Sequence, residues 1–253
     1  MFLWEWLQDA VSWIVVLWHQ FWSLFLDPDG GWAWTLSIVG LVVVIRILLV
    51  PLYVKQVRAQ RTMQGIQPRI MEIQARYAGD KERQSQEMMA LYKEVGTTPL
   101  SSCGPILLQV PVFLALFAVL QSIAGEQPVG VFRWPRYADL LTSAHNAEIL
   151  GVPLYGTFAN AAETPNPTNT RILAVILTIL MSGTSIITQR RLRQGNTASD
   201  NSVAGQMGMM MYVLPVLFAV GGLVFPIGVL VFWFSTTLWT LGQQFWVIRN
   251  AAV

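Results

Sequence analysis

The chain has 253 residues, of which 54% are hydrophobic and only 12% charged, with 11 Trp and a formal net charge of +2. An ordinary soluble domain carries about 25% charged residues, so an average cytosolic enzyme, a disordered tail and a strongly basic nucleic-acid binder are excluded. One cysteine, Cys103, and two histidines, His19 and His145, leave no internal disulfide, multi-cysteine cluster or histidine-rich metal site, and no cofactor site is evident. What remains is an all-α, polytopic membrane protein.

In residues 1–30, Glu5, Gln8, Asp9, Ser12, His19, Gln20 and Ser23 form one polar stripe. Leu3, Trp4, Leu7, Val11, Ile14, Val15, Trp18, Phe21, Trp22 and Phe25 cover the other face. The pattern predicts an external amphipathic helix lying in the membrane interface. It lacks the Lys and Arg of a signal-peptide n-region. Asp27–Pro28–Asp29–Gly30–Gly31 then turns the chain into the first span.

A bilayer helix needs roughly 20 mostly apolar residues, and five transmembrane helices fit: 31–54, 98–123, 171–189, 207–222 and 223–248. Trp32 and Trp34 anchor the first, Thr98–Pro99 reads as the cap and first turn of the second, and Gly221–Gly222–Leu223 is the turn between the last two. Spans three and four are short, which predicts local thinning. The charged segment 55–97, with a break near Gly79–Asp80, reads as a cytoplasmic helical hairpin. Its Met63, Met71, Met88 and Met89 either pack the hairpin or offer an adaptable client-binding face. The segment 124–170 is a proline-rich external loop with no catalytic pattern, 190–206 a cytoplasmic loop and 249–253 the C-terminus. Twelve basic residues fall on the hairpin, the 190–206 loop and the C-terminus, against Arg133, Arg136 and Arg171 on the other side. The positive-inside rule places the N-terminus outside and the C-terminus in the cytoplasm.

Arg46 is the informative residue. It lies about 21 Å from Trp32 along a helix rising 1.5 Å per residue, and a guanidinium there costs about 2.5–3.5 kcal/mol on insertion scales. No predicted span contains Asp or Glu. The side chain could snorkel to the cytoplasmic surface. Against that, Thr178, Ser182, Ser185 and Gln189 make one stripe in the third span. Thr236, Thr240, Gln243 and Gln244 make another in the fifth, with Trp233 one turn earlier, and Ser101, Ser102 and Gln109 occupy the second. All lie in the cytoplasmic halves, so the pattern favours a hydrated groove open to the cytoplasm. Ile38, Val39, Phe117, Leu120, Leu173 and Val220 would close its outer end. Pro51 and Pro111 free the carbonyls of Ile47 and Leu107 nearby.

The run Gly96–Thr97–Thr98–Pro99–Leu100–Ser101–Ser102–Cys103–Gly104–Pro105–Ile106–Leu107–Leu108–Gln109–Val110–Pro111–Val112–Phe113 resembles the second-span signature of the YidC membrane-protein insertases. So do Arg46 with Pro51 before a basic hairpin, Gln189 before Arg190–Arg191, and Trp233 within Phe232–Trp233–Phe234–Ser235. The resemblance covers about 32–249 and implies a short, actinobacterial-type inner-membrane insertase and chaperone. It implies work on nascent membrane-protein clients, alone or with the Sec translocon, without nucleotide hydrolysis. Arg46 matches the groove arginine, Gln109, Gln189, Thr240 and Gln244 are read as its hydration partners, and Trp233 as a lipid- or client-facing contact. Only Arg249 follows the last span, which speaks against ribosome contact unless a basic tail has been trimmed. Leu100–Ser101–Ser102–Cys103 is too far from the start to act as a lipobox, so Cys103 is read as a packing residue. The rival is an anion or organic-acid transporter with Arg46 as its binding site. Five spans without a repeat weigh against it, and no His or acid lies in a span to activate Ser182 or Ser185 as a hydrolase.

Overall fold

The computed structural model describes residues 2–96, 104–124, 127–193 and 219–250. The predicted fourth span, apart from its last residues, lies outside them, as do Ser101, Ser102 and Cys103.

Helix α1 (Phe2–Trp22) is followed by the Asp27–Gly30 turn and by α2 (Gly31–Gly65). Helix α2 is one 35-residue element that passes Pro51 and the predicted end of the first span at 54. Helices α3 (Gln67–Arg76) and α4 (Lys81–Glu94) form a small hairpin around Ile66, Ile70 and Leu91, with Met88 packed against them and Met89 exposed. Asp80 caps α4 by accepting from the Arg83 N–H at 3.0 Å, and Arg69 grips Glu94 through two 2.8 Å bonds. Helices α5 (Gly104–Ala124), α6 (Ala138–Asn146), α7 (Pro167–Arg193) and α8 (Ile227–Asn250) complete the order.

By length and apolarity, 31–55 and 167–188 are long enough to cross a bilayer, and 110–123 is a shorter apolar helix. The third predicted span therefore begins earlier than 171. Pro167 opens α7, and the Asn166 carbonyl accepts both the N–H and the hydroxyl of Thr170, so a polar first turn joins the helix. The apolar stretch of this helix has 22 residues.

The predicted turn at Gly221–Gly222–Leu223 is also displaced. Residues 219–224 are helical, the Phe225 N–H still donates to the Gly221 carbonyl, and the chain breaks at Phe225–Pro226. Proline has no N–H to continue the ladder. The glycines serve close packing instead: a Cβ on Gly222 would stand 1.9 Å from Thr178 Oγ1. Val220, expected to close the groove, is 55% exposed, whereas Ile38 and Leu120 are buried and Val39, Phe117 and Leu173 pack against the core.

The polar stripe of α1 is divided, with Glu5 and Gln20 exposed. The structure turns Gln8, Ser12 and His19 inward and exposes Trp6, Trp13, Leu17, Phe21 and Leu24. The cause is the segment after α5, which folds back as a polar partner. Ser12 Oγ accepts from the Val131 N–H at 3.0 Å, and Asp9 pairs with Arg133 at 2.9 Å. His19 Nε2 donates to the Pro28 carbonyl at 2.8 Å while its ring stacks on Trp34 at 3.9 Å.

The segment between α5 and α7 is a folded cap among the described residues. Strands β1 (Glu148–Ile149) and β2 (Val152–Pro153) pair antiparallel across a turn in which Leu150 and Gly151 have φ of 55° and 73°. Two successive left-handed residues are the geometry of a type I′ hairpin turn. Val131, Phe132, Leu141, Ala144, Ile149, Val152 and Leu154 join one core with Val15, Trp34, Leu41, Leu116, Val119 and Leu230.

Candidate functional site

Arg46 sits about two and a half turns before the end of the apolar stretch of α2 at Lys55, and the next two residues, Ile47 and Leu48, are exposed. The guanidinium takes the opposite direction. Its Nη2 donates to the Thr236 carbonyl of α8 at 3.3 Å, and the Thr240 hydroxyl donates to the same oxygen at 2.9 Å. One carbonyl thus joins three of the predicted site residues. The ion pairs among the described residues are Arg69–Glu94, Arg76–Glu72 and Arg133–Asp9, so no carboxylate is paired with Arg46 there.

Along α8, Thr236, Thr240, Gln243 and Gln244 follow at helical spacing on one side. Gln244 is buried, and among the described residues Oε1 of both glutamines has no partner. Nor has Trp239 Nε1, on the same helix, a partner among them. On α7, which packs along α8, Ser182 Oγ and Thr188 Oγ1 are buried without partners among the described residues, and Ser185 is buried. An unpaired buried polar group costs about 1–3 kcal/mol, and five such groups fall in the second halves of these two adjoining helices.

Other predicted residues are engaged differently. Thr178 donates to the Ala174 carbonyl at 2.7 Å and packs under Gly222. Trp233 lies flat on Phe113, ring centres 5.1 Å apart, with Phe225 edge-on at 4.8 Å. Gln109 and Gln189 belong to α5 and α7, but their side chains lie outside the described residues. Sequence reading missed the Thr236 carbonyl, because a backbone acceptor has no residue signature. It also missed Trp239 and Thr188, whose types read as interface anchor and helix glue. Among the described residues no group of three or more His, Cys, Asp or Glu is placed to hold a metal.

Residues 25–252 match the family model described as 60Kd inner membrane protein. The chain is 46% identical over 255 residues to the membrane protein insertase YidC of Streptomyces avermitilis, across 98% of this chain and 59% of that protein. It is 36% identical over 250 residues to the YidC of Tropheryma whipplei, covering 93% of this chain and 80% of that one. Against the YidC of Mycobacterium tuberculosis, identity is 33% over 264 residues, covering 94% and 70%. It thus spans under two thirds of the Streptomyces protein and more of the other two. A crystal structure of an active YidC insertase shares the fold, with a TM-score of 0.57 and 21% identity over 95% of this chain and 47% of that one. With nearly its whole length matched, the chain belongs to the 60Kd inner membrane protein family, whose relatives here are YidC membrane protein insertases.

Proposed function

We propose that this protein inserts small membrane proteins and helps them fold, through a hydrated groove that opens to the cytoplasm and presents Arg46. The reading takes five transmembrane helices, an external N-terminus and a cytoplasmic C-terminus. The α3–α4 hairpin meets the client first. The protein works alone or with the Sec translocon.

The observation that carries the reading is Arg46 bonded to a neutral carbonyl, with no carboxylate paired to it among the described residues. A neutral acceptor satisfies one N–H and leaves the charge uncompensated. An acidic or polar client segment entering from the inner side supplies the compensation, which offsets part of the cost of moving its own carboxylate out of water. Gln243, Gln244, Ser182 and Thr188 offer partners for the hydration that travels with it. No covalent step is required, so the work is transfer rather than catalysis.

The test replaces Arg46 with Ala and with Lys and follows insertion of a small client bearing an acidic N-tail into proteoliposomes. Arg46→Ala is expected to slow insertion about ten-fold, equivalent to about 1.4 kcal/mol. Arg46→Lys should keep part of the rate, since the charge stays and the fork is lost. An uncharged tail should feel neither change. Normal insertion of the acidic client by the Ala variant would overturn the reading.

A further inference from the structure

The external cap carries a feature that the groove does not use. Arg136 lies over two aromatic faces, with its guanidinium carbon 5.0 Å from the Trp134 ring centre and 4.6 Å from that of Tyr137. Stacking of this kind holds the guanidinium plane in place while its N–H edges stay open. Arg136 is exposed, and it makes no ion pair among the described residues, even with Asp139 three positions on. Trp134 is 44% exposed.

The location gives this cluster its meaning. Arg133 is tied to Asp9 at 2.9 Å and to the Gly130 carbonyl at 3.2 Å, which fixes the start of the Arg133–Tyr137 run against α1. Asp9 stands at the rim of the outward face of α1, between Trp6 one turn before and Trp13 one turn after. Trp6 is 62% exposed and Trp13 43%, and Leu17, Phe21 and Leu24 continue the same apolar stripe. An apolar stripe edged by tryptophans, tied through Arg133 and Asp9 to the segment that carries a stacked cation without an ion pair among the described residues, matches the chemical order of a membrane surface: acyl chain, interface, phosphate.

We propose that Arg136, held by Trp134 and Tyr137, binds the phosphate of an anionic phospholipid in the outer leaflet and so sets the depth of the external cap. The proposal rests on α1 being external. The exposed stripe of α1 takes the acyl chains, and Arg133 stays neutralised by Asp9 and serves to position the cluster. An anionic headgroup is preferred over a zwitterionic one because the latter brings its own cation to the phosphate.

The full chain in detergent micelles, titrated with phosphatidylglycerol, phosphatidylcholine or inorganic phosphate and weighed by native mass spectrometry, tests this. The wild type should hold one more phosphatidylglycerol than Arg136→Ala at equal lipid, with apparent affinity at that site about five-fold lower in the variant, as expected for one basic residue at a charged surface. Arg136→Lys and Trp134→Ala should fall between. Equal retention by wild type and Arg136→Ala would overturn the proposal. So would an inorganic phosphate adduct that disappears with Arg136, since that marks a site for free anions. The readout needs no insertion activity, so loss of the headgroup contact and failure of the proposed insertion are distinguishable.

Discussion

The packing of Gly222 on Thr178 can be broken by one methyl group. In Gly222→Ala the new Cβ would lie 1.9 Å from Thr178 Oγ1 and 2.8 Å from both Thr178 Cβ and Cγ2, where ordinary contact begins at 3.4 Å. Rotating χ1 removes the hydroxyl but brings another substituent toward the same space, and Cβ itself cannot rotate away. The helical segment carrying Gly222 and α7 must therefore separate by about 0.6 Å, the shortfall at Cβ. Overpacking of this kind costs about 1–3 kcal/mol. The gain from replacing a helical glycine, about 0.5–1 kcal/mol, offsets part of it. A net loss of about 1 kcal/mol is expected. Close approach through small residues is how helices associate where water gives no apolar driving force.

Denaturant unfolding in detergent micelles, followed by tryptophan fluorescence, measures the loss. The companion variants make the reasoning specific. Thr178→Ala removes Oγ1 and Cγ2 but keeps the 2.8 Å conflict at Cβ, so it should recover part of the stability of Gly222→Ala. Thr178→Val keeps both branches and should recover none. The two sites should be strongly non-additive, as contacting pairs are. A Gly222→Ala protein within about 0.5 kcal/mol of wild type would show that the two helices are not in contact here.

Two further outcomes follow from single contacts. Asp80→Ala removes the acceptor for the Arg83 N–H and should lower the local stability of α4 by about 1 kcal/mol, read as faster amide exchange over 81–94, and unchanged exchange there would refute it. Burial holds His19 below the ordinary histidine value of about 6.5, against the Pro28 carbonyl and Asp29, which pull it up; the unfolded chain therefore protonates first, so stability is full above about pH 6.5 and falls below it, and His19→Gln should flatten that slope whereas an unchanged slope would refute the assignment.

Helix content was legible because long apolar runs and capping residues carry local signals, and Asp80 caps α4 beside the break read at Gly79–Asp80. The orientation of α1 was not. Its period marks two faces, but which face meets protein depends on the Gly130–Arg133 segment, more than 100 residues away, arriving to bond Ser12. Gly221–Gly222 was misread for a related reason. Glycine reads as a turn residue unless the partner it admits is known, and Thr178 lies on another helix. The cap left little signal because its strands are two residues long and its core borrows from α1, α2 and α5. At the candidate site, Arg46 stood out as a charge in an apolar run, whereas its acceptor is a backbone oxygen that any residue would provide.

The two ends of the molecule treat buried polar groups differently. In the cap, Thr164 meets Thr170 at 2.9 Å, Asn160 accepts from the Thr157 N–H and hydroxyl, and His145 bonds the Ile123 carbonyl at 2.9 Å. The cap side still holds three unpaired groups, His19 Nδ1, Trp22 Nε1 and Thr35 Oγ1, each beside paired neighbours. Among the described residues, the second halves of α7 and α8 hold five. Left dry, five such groups would cost about 5–15 kcal/mol at about 1–3 each, comparable to the whole stability of a domain. A folded protein does not carry that burden in a sealed core, which supports the proposed reading of this region as hydrated. Under that proposed function, a cap rich in paired groups and a second half of α7 and α8 with open ones supply the asymmetry that one-sided entry of a client requires.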